Sequence, residues 1–229
     1  MAYTLFTANR NYSSWSLRPW VLMRGLGIDF EDRLVPFGGP DNSAEFRSFA
    51  PNGKVPCLHD DGTVVWDSLA IIEYLAERHQ GVWPSDATAR AWARCAAAEM
   101  HSGFSALRNI CPMSVGVRAQ LHDIPPALQA DIDRISEIFC EGLDRFSGPW
   151  LAGTDFTAVD AFFAPVAFRV RTFGLRLDDR TAAWVGRMLG HPAMFAWESA
   201  ALAETWRDLA HEAEIADAAT IAADYRAVV

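Results

Sequence analysis

The chain has 229 residues, 51% hydrophobic and 21% charged, enough to bury a sizeable core and too apolar for a disordered chain. A net charge of -9 argues against nucleic acid or an anionic membrane surface as the main partner. No apolar run approaches the ~20 residues of a membrane span.

Met1 to Phe6 lacks a basic stretch followed by a long apolar run, so no signal peptide is expected and the expected location is the cytoplasm. The four cysteines, Cys57, Cys95, Cys111 and Cys140, show neither CxxC spacing nor an even ladder, so neither a metal site nor a disulfide framework is expected.

Tyr3 to Ala8 reads as a short strand, followed by a polar loop and an apolar helix from Leu17 to Leu26 that Gly25 and Gly27 close. Phe30 to Pro36 reads as a second strand and Ser43 to Phe49 as a short helix. Lys54 to His59 is strand-like, and Asp60-Asp61-Gly62 turns the chain into a strand from Thr63 to Trp66. From Ser68 to His79, Leu69, Ile72, Leu75 and Ala76 recur on one helical face. The order β-α-β-α-β-β-α results. Gly81 to Asp86 then reads as a linker, and the rest as alanine-rich helices over 87–111, 126–146, 159–172, 180–189 and 192–211, with a last helix near the C-terminus. The expected fold is an α/β domain over residues 1–80 followed by an all-α helical bundle over 87–229.

Three stretches carry chemistry. In Asn11 to Trp20, three serines precede a helix whose early Pro19 suits a first turn. Serines cap helices, but a hydroxyl at a helix start also meets a positive dipole and free N–H groups, which suits a ligand's thiolate. The second stretch is Val55-Pro56, where a proline interrupts a strand signal. An ordinary trans proline at a strand end is one reading. A cis bond is the other, leaving the N–H and C=O of Val55 to pair with an extended peptide. In the third, Asp67-Ser68 heads a helix, as a plain cap or as a pair that holds a ligand's ammonium and carboxylate.

Asn52 to Pro56, the Asp61-Gly62 turn and Asp67 to Leu75, in this order, resemble the glutathione site of the glutathione transferase superfamily. Trp150 to Asp160 is similar to the superfamily's capping box, with Thr157 as cap and Asp160 reaching back. Ser13-Ser14 ahead of Arg18 resembles the zeta class, with Ser14 on that class's catalytic serine and Trp15 where its cysteine stands.

The resemblance implies a thioredoxin-like first domain, glutathione as co-substrate, a small electrophilic second substrate and a homodimer. It implies that Ser14 stabilises the thiolate, Val55 with Pro56 pairs the glutathione cysteine, Asp67 and Ser68 hold the γ-glutamyl end, and Lys54 lies near the glycine end. It also sets the electrophile pocket against the first long helix of the second domain, where Met100, His101, Phe104 and Arg108 are the candidates. Conjugation to electrophiles is the leading activity. Glutathione-dependent cis–trans isomerisation and non-catalytic glutathione binding are the alternatives. A thiol-disulfide oxidoreductase is disfavoured, because no cysteine precedes Pro56.

Overall fold

Alternation in the first strand, β1 (Tyr3–Thr7), and in β2 (Phe30–Leu34) sets apolar side chains on the sheet and lets the two pair in parallel, from Tyr3 opposite Phe30 to Thr7 opposite Leu34. The computed structural model describes residues 3–38 and 42–228; Met1, Ala2 and Val229, at the ends of the two expected domains, lie outside them. A parallel pair needs a crossover, which α1 (Ser14–Gly25) supplies. β3 (Cys57–Asp60) lies antiparallel to β1 and returns through Asp61 and Gly62, both at positive φ, into β4 (Thr63–Trp66). The sheet order is β2-β1-β3-β4, with α2 (Ser43–Arg47) after β2 and α3 (Ser68–Ala76) after β4. Leu17, Val21 and Leu22 of α1 and Ile71, Ile72 and Leu75 of α3 are wholly buried in the main core. This is the expected thioredoxin-like arrangement.

The second domain is a helical bundle of α4 (Ala87–Ser102), α5 (Ser105–Ile110), α6 (Pro126–Phe146), α7 (Ala158–Phe173), α8 (Asp179–Leu189), α9 (Pro192–Ala203) and α10 (Leu209–Ala218). α7 runs through its centre and packs on α1, so the site of the first domain rests on the core of the second. Thr157 and Asp160 form the capping box. The Asp160 carboxylate also accepts from Leu151 N (2.9 Å) and Trp184 Nε1 (3.0 Å), tying α7 to the preceding loop and to α8. No helix among the described residues is long and apolar enough to cross a membrane.

Three expectations are corrected. The helix read over 87–111 stops at Ser102, where Gly103 turns extended (ψ -162°) in a conformation whose Cβ would sit 2.9 Å from Glu99 O, and Phe104 turns left-handed before α5. The helix read over 192–211 stops at Ala203, where Glu204 turns extended and Asp208 caps a fresh helix. After α10 the chain forms β6 (Ala219–Asp224), antiparallel to β5 (Val117–Leu121), so the bundle carries a two-stranded ribbon that the helical reading omits.

Candidate functional site

The loop between β1 and α1 is built to present one serine. Tyr12 and Ser13 donate their N–H groups to the Asn9 carbonyl (3.1 and 2.9 Å). Asn11 clamps the loop to the second domain. Its side-chain amide donates to Ala201 O at 2.6 Å and its Oδ1 accepts from Gly116 N at 3.2 Å. The Glu204 carboxylate accepts from Arg10 N at 2.8 Å, and Trp197 Nε1 donates to Arg10 O at 2.9 Å. Burial pushes the Glu204 carboxyl up from its usual range, against the pull of Arg10 and the loop N–H groups.

Four hydroxyls follow one another here, and three are occupied. Tyr12 donates to Glu212 at 2.6 Å and accepts from Arg226 at 3.1 Å. Burial and the Glu212 hydrogen bond raise its phenol well above the ordinary range. Ser13 caps α1 and donates to Ser16 Oγ at 2.8 Å, while Ser16 Oγ accepts from Ala8 N at 3.2 Å. Ser14 is the first residue of α1 and lines a cleft of about 330 Å³. Its hydroxyl has no hydrogen-bond partner among the described residues, and it stands at the positive end of the helix, where Ser14 N donates to Tyr12 O (2.9 Å) and Ser16 N to Ser13 Oγ (3.4 Å).

Gly53, Lys54 and Val55 form another part of the cleft wall. The Val55–Pro56 bond is cis and β3 begins only at Cys57, which decides between the two readings of the proline. Among the described residues neither the N–H nor the C=O of Val55 has a backbone partner, so an extended segment can pair there in the manner of an added strand.

Asp67, at φ 76°, caps α3 by accepting from Leu69 N (2.8 Å), and its other carboxylate oxygen meets His101 Nε2 at 3.4 Å. Ser68 Oγ is buried and has no partner among the described residues. Neither residue lines the cleft; Asp67 connects to it through His101, which meets Trp15. The Trp15 indole lies edge-on to His101 (5.3 Å) and under the guanidinium of Arg18, 4.1 Å away, whose terminal nitrogens are buried and have no partner among the described residues. Burial, with Arg108 and Arg169 nearby, holds Arg18 well below the usual arginine range.

The candidates for the electrophile pocket separate. Arg108 lines the cleft, stacked on Trp15 at 4.6 Å and anchored by Nε to Gly103 O at 2.9 Å. Met100, His101 and Phe104 do not line it. On α4, Met100 is buried with its carbonyl under Arg108 and His101 meets Asp67, while Phe104, beyond the break at Gly103, packs on Phe163. Burial lowers the pKa of His101.

Sequence reasoning missed Arg169 of α7, which lines the cleft with Nε held on Cys111 O at 2.7 Å; among the described residues its terminal nitrogens are not hydrogen-bonded. Burial, then Arg108, lowers it to about 10, which keeps it cationic at neutral pH. The signal was present as one arginine inside the apolar run Ala161 to Val170. Also missed were His211 and Glu214, which α10 brings to the cleft. With Lys54, the cleft holds, among the described residues, three cations against one carboxylate, a setting for an anionic ligand beside a hydroxyl at a helix start.

A family model described as the glutathione S-transferase N-terminal domain matches residues 12–78, the span that carries Ser14, Val55 and Asp67. The chain is 28% identical over 180 residues to a maleylacetoacetate isomerase of Rattus norvegicus, covering 76% of this chain and 81% of that one. It is 28% identical over 159 residues to a zeta-class glutathione S-transferase of Euphorbia esula, covering 67% and 70%. Among solved structures, a glutathione transferase homologue from Burkholderia with bound glutathione superposes with a TM-score of 0.64 at 23% identity, covering 88% of this chain and 98% of that one. That likeness extends the shared fold across both domains.

Proposed function

We propose that this chain is a member of the glutathione transferase superfamily, with its similarity directed to the zeta class, and that it ionises glutathione at Ser14 and delivers the thiolate to a small anionic electrophile. The observation that carries this reading is the hydroxyl of Ser14, unengaged at the start of α1 while Tyr12, Ser13 and Ser16 are tied into the fold. A free thiol with pKa ~8.5 is only a few per cent ionised at neutral pH. Lowering it by about two units takes roughly 2.7 kcal/mol. A hydrogen bond to the anion, ~1.5–3 kcal/mol, and the helix terminus, ~0.3–1 kcal/mol, together supply that. The backbone of Val55 pairs with the cysteine of glutathione, Asp67 and Ser68 hold its γ-glutamyl end, and Lys54 meets its glycine carboxylate. The unpartnered Ser68 Oγ and the free backbone of Val55 support this placement.

Two outcomes are open to a thiolate facing an unsaturated acid. Addition that stops at the thioether is conjugation. Addition to a cis double bond, rotation about the resulting single bond and expulsion of the thiolate is isomerisation, with glutathione regenerated. Arg108 and Arg169 in the cleft favour a carboxylate-bearing substrate in either case. The isomerase relatives favour the second outcome as the companion reading. Trp15, in the place of the zeta cysteine, removes a second thiol but leaves an addition–elimination at glutathione sulfur intact.

The test supplies glutathione with a neutral aryl halide and, separately, with maleylacetoacetate, following both thioether and trans isomer. Thioether from an anionic electrophile, or catalytic trans product, supports the reading. Glutathione that binds without either product assigns a non-catalytic role. The same reading makes the protein a homodimer working in the cytoplasm.

A further inference from the structure

The Ser14 wall of the cleft supplies an anion; nothing on that wall handles a proton. Adding a thiol across a double bond moves one. The sulfur electron pair makes the C–S bond, the π pair moves onto the neighbouring carbonyl as an enolate, and the proton lost by the thiol must reach that enolate. In the cleft, α10 brings one imidazole, that of His211.

Its surroundings fix it as a proton carrier would be fixed. The ring is stacked between Tyr12 (centroids 5.1 Å apart) and Phe37 (5.2 Å). Nδ1 is hydrogen-bonded to the Asp208 carboxylate, which assigns the Nδ1–H tautomer to the neutral ring. Nε2 then carries the lone pair, and among the described residues it has no partner. The helix is itself held. Glu212 accepts from Tyr12 at 2.6 Å and pairs with Arg226, whose side chain is only 3% exposed and is also paired with Asp224 of β6. β6 in turn lies on β5. This carboxylate–imidazole arrangement, with the second nitrogen open to the cleft, is the geometry of an acid–base residue whose orientation is fixed by a third group.

We infer that His211, oriented by Asp208, is the acid–base residue of this cleft; the inference rests on the proposed ionisation of glutathione at Ser14. Once the thiol has ionised at Ser14, Nε2 carries the proton it has released, exchanged through solvent, and gives it to the enolate made when sulfur adds. In the conjugation sense the sum is addition of S–H across C=C. In the isomerisation sense the proton is removed again as the C–S bond breaks, and nothing is consumed. Arg108 and Arg169 hold the carboxylate end of the substrate while this happens.

The test compares wild type, His211→Phe and His211→Ala. Phenylalanine keeps the ring between Tyr12 and Phe37 but has no nitrogen, so it separates stacking from proton transfer. Three readouts are taken on the full chain: the dissociation constant of glutathione, the ultraviolet thiolate band of the bound tripeptide, and turnover of maleylacetoacetate with and without added imidazole. Both variants are expected to keep the affinity and the thiolate band while losing turnover by about 100-fold, in the range of general acid–base contributions. Imidazole is expected to restore His211→Ala, where it leaves a hole, and not His211→Phe. His211→Phe turning over within about threefold of wild type would overturn the inference, as would loss of the thiolate band in that variant or no rescue of His211→Ala. Absence of a thiolate band in the wild type overturns the Ser14 reading and this inference with it.

Discussion

Ser14 and Tyr12 are two residues apart and both carry a hydroxyl at the cleft, yet their surroundings give them different work. Ser14→Ala is expected to lower turnover with glutathione ten-fold or more, about 1.4 kcal/mol per decade, with little change in glutathione affinity. Tyr12→Phe keeps the ring against His211 and loses the hydrogen bond to Glu212. It is expected to cost about 1 kcal/mol of stability in denaturant unfolding and to leave the bound thiolate band in place. A fully active Ser14→Ala beside a dead Tyr12→Phe would reverse the assignment. Arg108 is checked by substrate charge. Arg108→Ala should raise KM for carboxylate-bearing electrophiles by about ten-fold, the lower end for a charged hydrogen bond, and spare neutral ones. Equal loss for both kinds would remove Arg108 from the substrate site. At this scale the motifs in the sequence named Ser14, Val55 and Asp67, because each sits next to a helix start or a proline that a local pattern exposes. Arg169 and His211 reach the cleft only through the packing of α7 and the turn before α10, which no local pattern carries.

Elements whose ends are marked by caps and prolines were legible: α6 begins at Pro126 and ends at Phe146 as its pattern demands, and β4 spans Thr63–Trp66 as read. Breaks made by tertiary contacts were not. Gly103 ends a helix by turning extended, in a place where the Glu99 carbonyl leaves no room for a side chain, and Glu204 leaves α9 for the N–H groups of Arg10 and Asn11. β6, half alanine, has no alternation to announce it. One cap offers a pH test at this scale. Asp178 accepts from Arg180 N (2.9 Å) and Thr181 N (3.0 Å) at the start of α8. Burial raises its pKa, but hydrogen bonds from Thr181, Ser136 and Cys140 outweigh that and hold it down to about 2. A depressed carboxylate contributes stability above its unfolded pKa of ~3.9 and loses it as pH falls through the folded value. Asp178→Ala is therefore expected to cost about 1 kcal/mol at neutral pH, with the gap to wild type closing between pH ~4 and ~2. A gap that stays constant to pH ~2 would mean that the cap acts without its charge.

For the whole molecule, the second domain grips the first at the loop that carries Ser14, through Asn11, Glu204 and Trp197, so the site depends on both domains being in register. The resemblance leads to a two-fold pair of such chains. Sedimentation at micromolar concentration is expected to give twice the 25.3 kDa chain mass, and a value near the chain mass itself would reject the dimer. The proposed function turns on one physical event, ionisation of the glutathione thiol at Ser14, and the titration of that thiol in the complex reads it directly. The ultraviolet thiolate band of bound glutathione, followed against pH, is predicted to rise with a midpoint of about 6.5 in wild type, roughly two units below a free thiol. In Ser14→Ala the midpoint should return towards ~8.5. A wild-type midpoint at the free value, or a midpoint that Ser14→Ala leaves depressed, would contradict it.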